Sequence, residues 1–274
     1  MQADALLAID NLRAEGINKA LLISATGTGK TFLSAFDAKK FEPERLLFVI
    51  HRENIARAAM KSFKAVFGYS KKMGILCGNS RATDSDFIFS TIQTLSKDYT
   101  LSKFPKDYFD YIIIDEVHRS GGETYKKIIE YFTPKFMLGM TATPERTDGY
   151  DIYKAFDYNI AYEIRLNQAL EENMLVPFHY YGVSEIEVDG ILLDENSDFS
   201  KLVCNERVNK IIEYSEFYGC DKGRVKGLVF CSRREEAKNL STEFNKRGFK
   251  TISLDGESDE ELREESIDRL EQDD

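Results

Sequence analysis

Short apolar runs recur along the first half of the chain, separated by stretches in which apolar residues return every three or four positions. "ALLISA" (20–25), "RLLFVIH" (45–51), "MGILCG" (73–78), "DFIFST" (86–91), "YIIIDE" (111–116) and "FMLGMTAT" (136–143) are strand-sized. Each is apolar at successive positions, so both faces must be covered, as in the interior of a parallel sheet. Between them, Tyr125, Ile128, Ile129 and Phe132 make the i, i+3, i+4, i+7 stripe of an amphipathic helix. Ile55, Ala59, Phe63 and Val66 make another after the second run. This alternation predicts an α/β fold with crossover helices.

The pattern weakens near residue 150. "FHYYGVSEIEVDG" (178–190) reads as extended and "DENSDFS" (194–200) as a polar loop. A helix then carries Val208, Ile211, Ile212 and Ser215 on one side. From 226 a second α/β unit begins with strand "KGLVFCS", then a helix with Ala237, Leu240 and Phe244 that stops at Gly248. Strand "TISLD" (251–255) follows, and Ser258 with Glu261 predicts an S-x-x-E capping box for a last helix holding Leu262 and Leu270. One and a half βα units cannot close a sheet of their own, so residues 169–274 are expected to be a linker and the start of an incomplete second domain.

Charge sharpens this picture. The net charge of −10 is concentrated in residues 255–274, where eleven acids face only Arg263 and Arg269. Residues 52–72, by contrast, carry Arg52, Arg57, Lys61, Lys64, Lys71 and Lys72 against Glu53 alone. Such a patch suits a phosphate backbone, and on charge alone it equally suits a solvated helix face. Cys77, Cys204, Cys220 and Cys231 lie far apart with no CxxC pair, which disfavours a disulfide framework or a zinc site and fits a reducing cytoplasm. The aliphatic runs are too short to span a membrane, and "MQADALLAID" has no basic n-region of a signal peptide.

Residues 24–31, "SATGTGKT", follow a strand and precede a helix. Apart from Ser24 in place of the first glycine, they match the phosphate-binding P-loop pattern. Gly27 and Gly29 let backbone N–H groups approach an anion, and the helix that follows points its positive end at the same place. Lys30 would reach the β- and γ-phosphates of ATP, and the Thr31 hydroxyl would ligate Mg²⁺. "YIIIDEVH" adds a strand ending in two carboxylates. Asp115 can hold the metal and Glu116 can take a proton from the attacking water.

"ATGTGKT", "DEVH" and "TATPER", in this order and spacing, resemble motifs I, II and III of superfamily 2 helicases and translocases. The wording around them is most similar to bacterial DEAD/DEAH-type proteins related to restriction-enzyme motor subunits. The resemblance implies a RecA-like ATP-binding domain over 1–168, with catalysis by Lys30, Glu116 and His118. Nucleotide would be held by Gln2, Thr26, Gly27, Thr28, Gly29, Lys30 and Thr31, with Gln2 reading adenine. Thr31 and Asp115 would hold Mg²⁺. "VIHREN" (49–54) and "STIQTL" (90–95) resemble motifs that bind nucleic acid, which implies backbone contacts from Arg52, Ser90 and Thr91. Thr141 and Thr143 would couple the ATP site to the nucleic-acid track. "LVFCSRREEA" (228–237) resembles motif IV, adding Ser232 and Arg233 as nucleic-acid contacts.

The resemblance also implies motifs V and VI, which have no counterpart in the 274 residues, so the chain is expected to be part of a longer polypeptide that binds ATP and hydrolyses it weakly. The leading expectation is an ATP-driven motor on nucleic acid, with DNA preferred over RNA. A P-loop ATPase unrelated to nucleic acid and a nucleotide-switched, non-catalytic nucleic-acid binder stand as alternatives.

Overall fold

Apolar residues at successive strand positions must be buried on both sides of the sheet, and that requirement sets the first half of the molecule. The structure is a computed structural model and describes all residues except 1, 79, 118–122, 146–150, 183–186, 189–190, 193–204, 221–224 and 273–274. It separates into two compact units, Met1–Phe178 and His179–Asp274.

In the first unit, strands β1 (Lys19–Ser24), β2 (Leu46–Ile50), β3 (Met73–Cys77), β4 (Ser80–Arg81), β5 (Phe87–Thr91), β6 (Tyr111–Ile114), β7 (Phe136–Thr141) and β8 (Ile160–Ile164) form one sheet. Their order is β4-β3-β5-β2-β6-β7-β1-β8. All pairings are parallel except the short antiparallel edge contact of β3 with β4. Every run expected to be a strand in this half is one.

Successive strand residues point to opposite faces, and two cores result. Ala20, Leu22, Phe48, Ile113 and Leu138 face helices α1 (Gln2–Ala14), α2 (Lys30–Phe41) and α3 (Glu53–Phe67), meeting Ile9, Leu33 and Phe63. Leu21, Ile23, Val49, Ile112 and Ile114 face the other way. They meet side chains of α4 (Ile92–Leu95), α5 (Asp98–Leu101), α6 (Glu123–Tyr131) and α7 (Ile152–Ala155), among them Leu95, Leu101, Ile128 and Ile152. Helix α8 (Leu166–Glu171) follows β8. The domain end expected at residue 168 falls inside α8, whose Ala169 is buried against Ala25 and Ile164.

One polar cluster lies within the first core. Asp37 of α2 is fully buried and accepts two hydrogen bonds from Arg13 of α1, at 2.7 and 2.9 Å, and one from the Tyr111 hydroxyl at 2.5 Å. Arg13 also stacks over Phe41 and Phe136, with its guanidinium carbon about 5 Å from each ring centre. This pins α1 to α2 and to the sheet. Neither α1 nor β8 is among the elements expected from the sequence. The apolar face of α1 is narrow, with only Ala5 and Ile9 fully buried, and β8 begins with an exposed Ile160.

The second unit holds α9 (Asn205–Tyr218), α10 (Arg234–Lys246), α11 (Glu260–Glu271) and a two-stranded antiparallel pair, β9 (Glu187–Val188) with β10 (Ile191–Leu192). Val208, Leu240 and Phe244 are its buried centre, on the faces expected for α9 and α10. The two strands expected at 226–232 and 251–255 do not form. No ladder joins these segments among the described residues, and Leu228, Val229 and Phe230 are exposed. The Ser258 capping box is also absent. Asp259 is the N-cap of α11, and Ser258 instead exchanges hydrogen bonds with Asp255, closing the preceding turn.

Removing one partner of a buried charge pair leaves the other uncompensated, at a cost of about 3–5 kcal/mol. Asp37→Ala is therefore expected to lower the stability of the first unit by that order in urea unfolding, and Asp37→Leu with Arg13→Met to recover most of it. A loss under about 1 kcal/mol for Asp37→Ala would show that the pair behaves as a solvent-exposed one.

Candidate phosphate-loop site

Parallel pairing aligns the carboxyl ends of neighbouring strands, and here it brings three motif ends to one edge of the sheet. Strand β7 lies between β6 and β1. Its Thr141 is in register with Ile23 of β1, and Gly139 with Ile114 of β6. The loop after β1, the carboxylates after β6 and the end of β7 therefore lie side by side, where open parallel sheets place their ligands.

Ser24 does not break the loop, because the strand continues through it. It pairs with Ile164 of β8 and has no need of glycine's left-handed conformation. Its buried hydroxyl lies 2.5 Å from the Thr28 hydroxyl, which also donates to the Ala25 carbonyl at 2.7 Å. The turn itself is made by Gly27 (φ +87°) and Gly29 (φ +86°), both in the region that L side chains disfavour. A Cβ on Gly29 would stand 2.8 Å from Gln2 Nε2, and one on Gly27 3.1 Å from Leu175 Cδ2. Gly29 is the N-cap of α2, so the first amides of that helix lack intrahelical partners and face the loop. The cradle fits an anion of phosphate type.

Lys30 closes over this loop, donating to the Ser24 carbonyl at 2.8 Å and the Ala25 carbonyl at 3.2 Å. Burial lowers its pKa, opposed by the charges of Asp115 and Glu116. Asp115 is 8% exposed, and its amide donates to the Val49 carbonyl at 2.9 Å. Burial, reinforced by the neighbouring Glu116 charge, pushes its carboxyl up to about 6. The Glu116 N–H, 2.9 Å from Asp115 Oδ1, and the Lys30 charge act in the opposite sense. Glu116 is half-buried with φ +52°, a non-glycine residue in the left-handed region directly after the strand. Such conformations cluster at functional sites. No group of three or more His, Cys, Asp or Glu capable of holding a metal occurs among the described residues. A metal at Asp115 and Thr31 would need oxygen ligands from elsewhere, as Mg²⁺ takes from substrate phosphates.

Gln2 lies beside the loop, with Nε2 3.5 Å from the Thr28 carbonyl. Thr26 and Gly27 are exposed and Thr28 is buried. Thr31 opens α2, where its carbonyl accepts from the Ser34 hydroxyl. Thr141 is buried and its hydroxyl accepts the Thr143 amide at 3.1 Å, turning the chain at the end of β7, while Thr143 itself is exposed. His118 lies outside the described residues.

The nucleic-acid residues divide. Arg52 is exposed at the N-cap of α3, followed by Lys61 and Lys64, also exposed. Ser90 is fully buried and donates to the Leu76 carbonyl at 2.8 Å, so it ties β5 to β3 and cannot reach a phosphate. Thr91 is 7% exposed and bonds the Thr94 hydroxyl at the start of α4. Ser232 and Arg233 are exposed in the second unit, where the Ser232 hydroxyl and amide both donate to Glu236. Leu175, over Gly27, belongs to a stretch without periodicity, and nothing in the sequence pattern marks it.

A parallel α/β sheet with this loop and carboxylate pair at its carboxyl edge has the architecture of a P-loop nucleotide-binding domain, and similarity to known proteins narrows it to the superfamily 2 helicase type. The chain belongs to the family described as type III restriction enzyme, res subunit, which matches residues 1–146. It is 31% identical over 223 residues to a protein of Acanthamoeba polyphaga mimivirus named as an ATP-dependent RNA helicase, covering 78% of this chain and 42% of the relative. It is 27% identical over 282 residues to a protein of Schizosaccharomyces pombe named as the mitochondrial ATP-dependent helicase irc3 (97% and 46%). The chain thus spans less than half the length of these relatives. Among solved structures, the ATP-dependent type ISP restriction-modification enzyme LlaBIII bound to DNA superposes with a TM-score of 0.67 at 18% identity. That match covers 98% of this chain and 23% of LlaBIII and shows a shared fold. No helix among the described residues is long and apolar enough to cross a membrane.

The raised Asp115 pKa has a stability consequence. Below its ordinary value of 3.8 the carboxyl is protonated in folded and unfolded states alike, and between 3.8 and about 6 folding increasingly opposes ionisation. Above pH 6, in a chelator, Asp115→Asn is expected to be the more stable protein by on the order of 2–3 kcal/mol, and near pH 3.5 the two should match. Denaturation midpoints across this range test it; a pH-independent difference would contradict the buried carboxylate.

Proposed function

We propose that this chain is the nucleotide-binding part of an ATP-driven motor that moves on nucleic acid, DNA in preference to RNA. The observation that carries the reading is the left-handed loop of Gly27 and Gly29, with Lys30 facing Asp115 and Glu116 across a single intervening strand. In this reading Lys30 leaves the Ser24 and Ala25 carbonyls for the β- and γ-phosphates. The α2 amides take up phosphate oxygens. Thr31 and Asp115 hold Mg²⁺, which when bound neutralises charge on the transferring phosphoryl group. Glu116 accepts a proton from water, and Gln2 reads the adenine. Thr141 and Thr143 pass the state of the site along the end of β7.

The DNA preference draws on the restriction-enzyme family and on the DNA-bound state of LlaBIII. The face that holds the strand is α3, where Arg52, Lys61 and Lys64 are exposed. In this reading hydrolysis by this chain alone is slow, because the arginine that the superfamily 2 resemblance implies at the γ-phosphate, in motif VI, has no counterpart in the 274 residues. Losing such an arginine costs on the order of 10³–10⁵ in rate.

Lys30→Ala is expected to abolish ATP binding in a calorimetric titration. Steady-state ATP hydrolysis should be feeble with single-stranded DNA, duplex DNA or RNA. Robust turnover by the chain alone, lost in Glu116→Gln, would overturn the slow-hydrolysis claim. Reversing Lys61 and Lys64 to Glu should weaken DNA binding and flatten its salt dependence by about two phosphate contacts. An unchanged affinity and slope would leave that face as a solvated helix surface.

A further inference from the structure

Nothing in the proposed chemistry uses residues 165–175, yet they touch the phosphate loop and the end of β7 together. Arg165 stands between β8 and α8. Its Nη1 lies 2.6 Å from Glu145 Oε1, and its Nε bonds the Glu163 carboxylate. Glu145 belongs to "TATPER", so this ion pair ties the segment beyond Thr141 to the start of α8. The Ala25 amide, in the loop, donates to the Ile164 carbonyl at 3.1 Å. Ala25, Ile164 and Ala169 are buried together, with Tyr162, Met174 and Leu175 packed around them.

After α8 the chain reverses. Asn173 adopts φ +54°, and the amides of Met174 and Leu175 both donate to the Ala169 carbonyl, at 2.9 and 3.3 Å. The reversal sets Leu175 Cδ2 against Gly27, 3.1 Å from where a Cβ would stand. Directly beyond it, Val176 is 85% and Phe178 60% exposed, and the second unit begins at His179. The residue resting on the crest of the loop is therefore also the last one packed before the chain leaves the first unit.

We propose that Leu175, seated by the α8 reversal and the Arg165–Glu145 pair, is a positioning residue that couples anion occupancy of the phosphate loop to the conformation of the segment leading into the second unit. This rests on the nucleotide reading of the loop. A ligand shifts a conformation only through contacts that differ between two states. Leu175 supplies such a contact. When Lys30 releases the Ser24 and Ala25 carbonyls, the glycine-hinged loop moves under the leucine, and residues 176–178 move with it.

Phe178, Tyr180 and Tyr181 are exposed, so limited chymotrypsin digestion of the full chain reads that segment. In wild type, a non-hydrolysable ATP analogue with Mg²⁺ is expected to change the cleavage rate there by about fivefold or more. Leu175→Ala should still bind the analogue by calorimetry and keep its circular dichroism, but lose the response. Leu175→Met should restore it, and Arg165→Met should weaken it in a folded protein even where Leu175→Ala does not fold. The proposal is overturned if folded Leu175→Ala or Arg165→Met responds as wild type does. It also fails if wild type binds the analogue without any change in cleavage. Should wild type bind no analogue, matching Lys30→Ala, the nucleotide reading itself fails and the coupling with it.

Discussion

The parallel pairing of β1, β7 and β6 is the constraint on which the rest depends. Parallel strands run the same way only when crossover connections return the chain to the same end of the sheet. With Ile23 opposite Thr141 and Gly139 opposite Ile114, β6 ends first, β7 reaches Thr141 and β1 continues to Ser24, so the residues just after β6 stand beside the ends of the other two. A glycine-rich turn, a carboxylate pair and a threonine turn, separated by up to about 115 residues of sequence, then share one edge. A slip of one residue in either pairing would exchange a strand's two buried faces and give each core the side chains fitted to the other, so the two cores that hold the sheet also hold the site.

The site sits at the point where burial and charge oppose one another. Asp115 and Lys30 are both drawn out of water, and each is pushed toward its neutral form by that burial. Each is also the other's main source of opposite charge. Lys30 meanwhile donates to two backbone carbonyls of the loop, Ser24 and Ala25. At Arg13, Asp37 and Tyr111 the balance differs: the buried carboxylate has three donors and needs nothing further. That satisfied cluster fixes α1, and α1 carries Gln2 to the loop.

The two units show why helices and strands differ in what they need. Helices α9, α10 and α11 form in the second unit because their hydrogen bonds close within each segment and a small centre of Val208, Leu240 and Phe244 covers two of the faces. Residues 226–232 and 251–255 have strand composition, but a strand's hydrogen bonds lie on its neighbours. Composition does not supply a neighbour, and Phe230 is left 91% exposed.

Six strands, the amphipathic helices and the loop with its carboxylate pair were legible in the sequence, because each is written in local periodicity or in residue types that a particular backbone turn requires. Gly27 and Gly29 announce their positive φ by lacking a side chain. Other features depend on what stands opposite. Ser90 reads like any polar residue at a strand end, and only the neighbouring strand makes its hydroxyl a buried bond to Leu76. Ser24 reads like a departure from the loop pattern, and only its pairing with Ile164 shows that no glycine is needed there. Leu175 carries no local signal, because its place over Gly27 is set by the reversal at Asn173 and the packing of Ala169 on Ala25. The sequence by itself determined six strands of the sheet, the amphipathic helices and the residue types at their ends. Which ends meet, and which polar groups remain open to a ligand, was decided by contacts between residues far apart in the chain, and these no local pattern encodes.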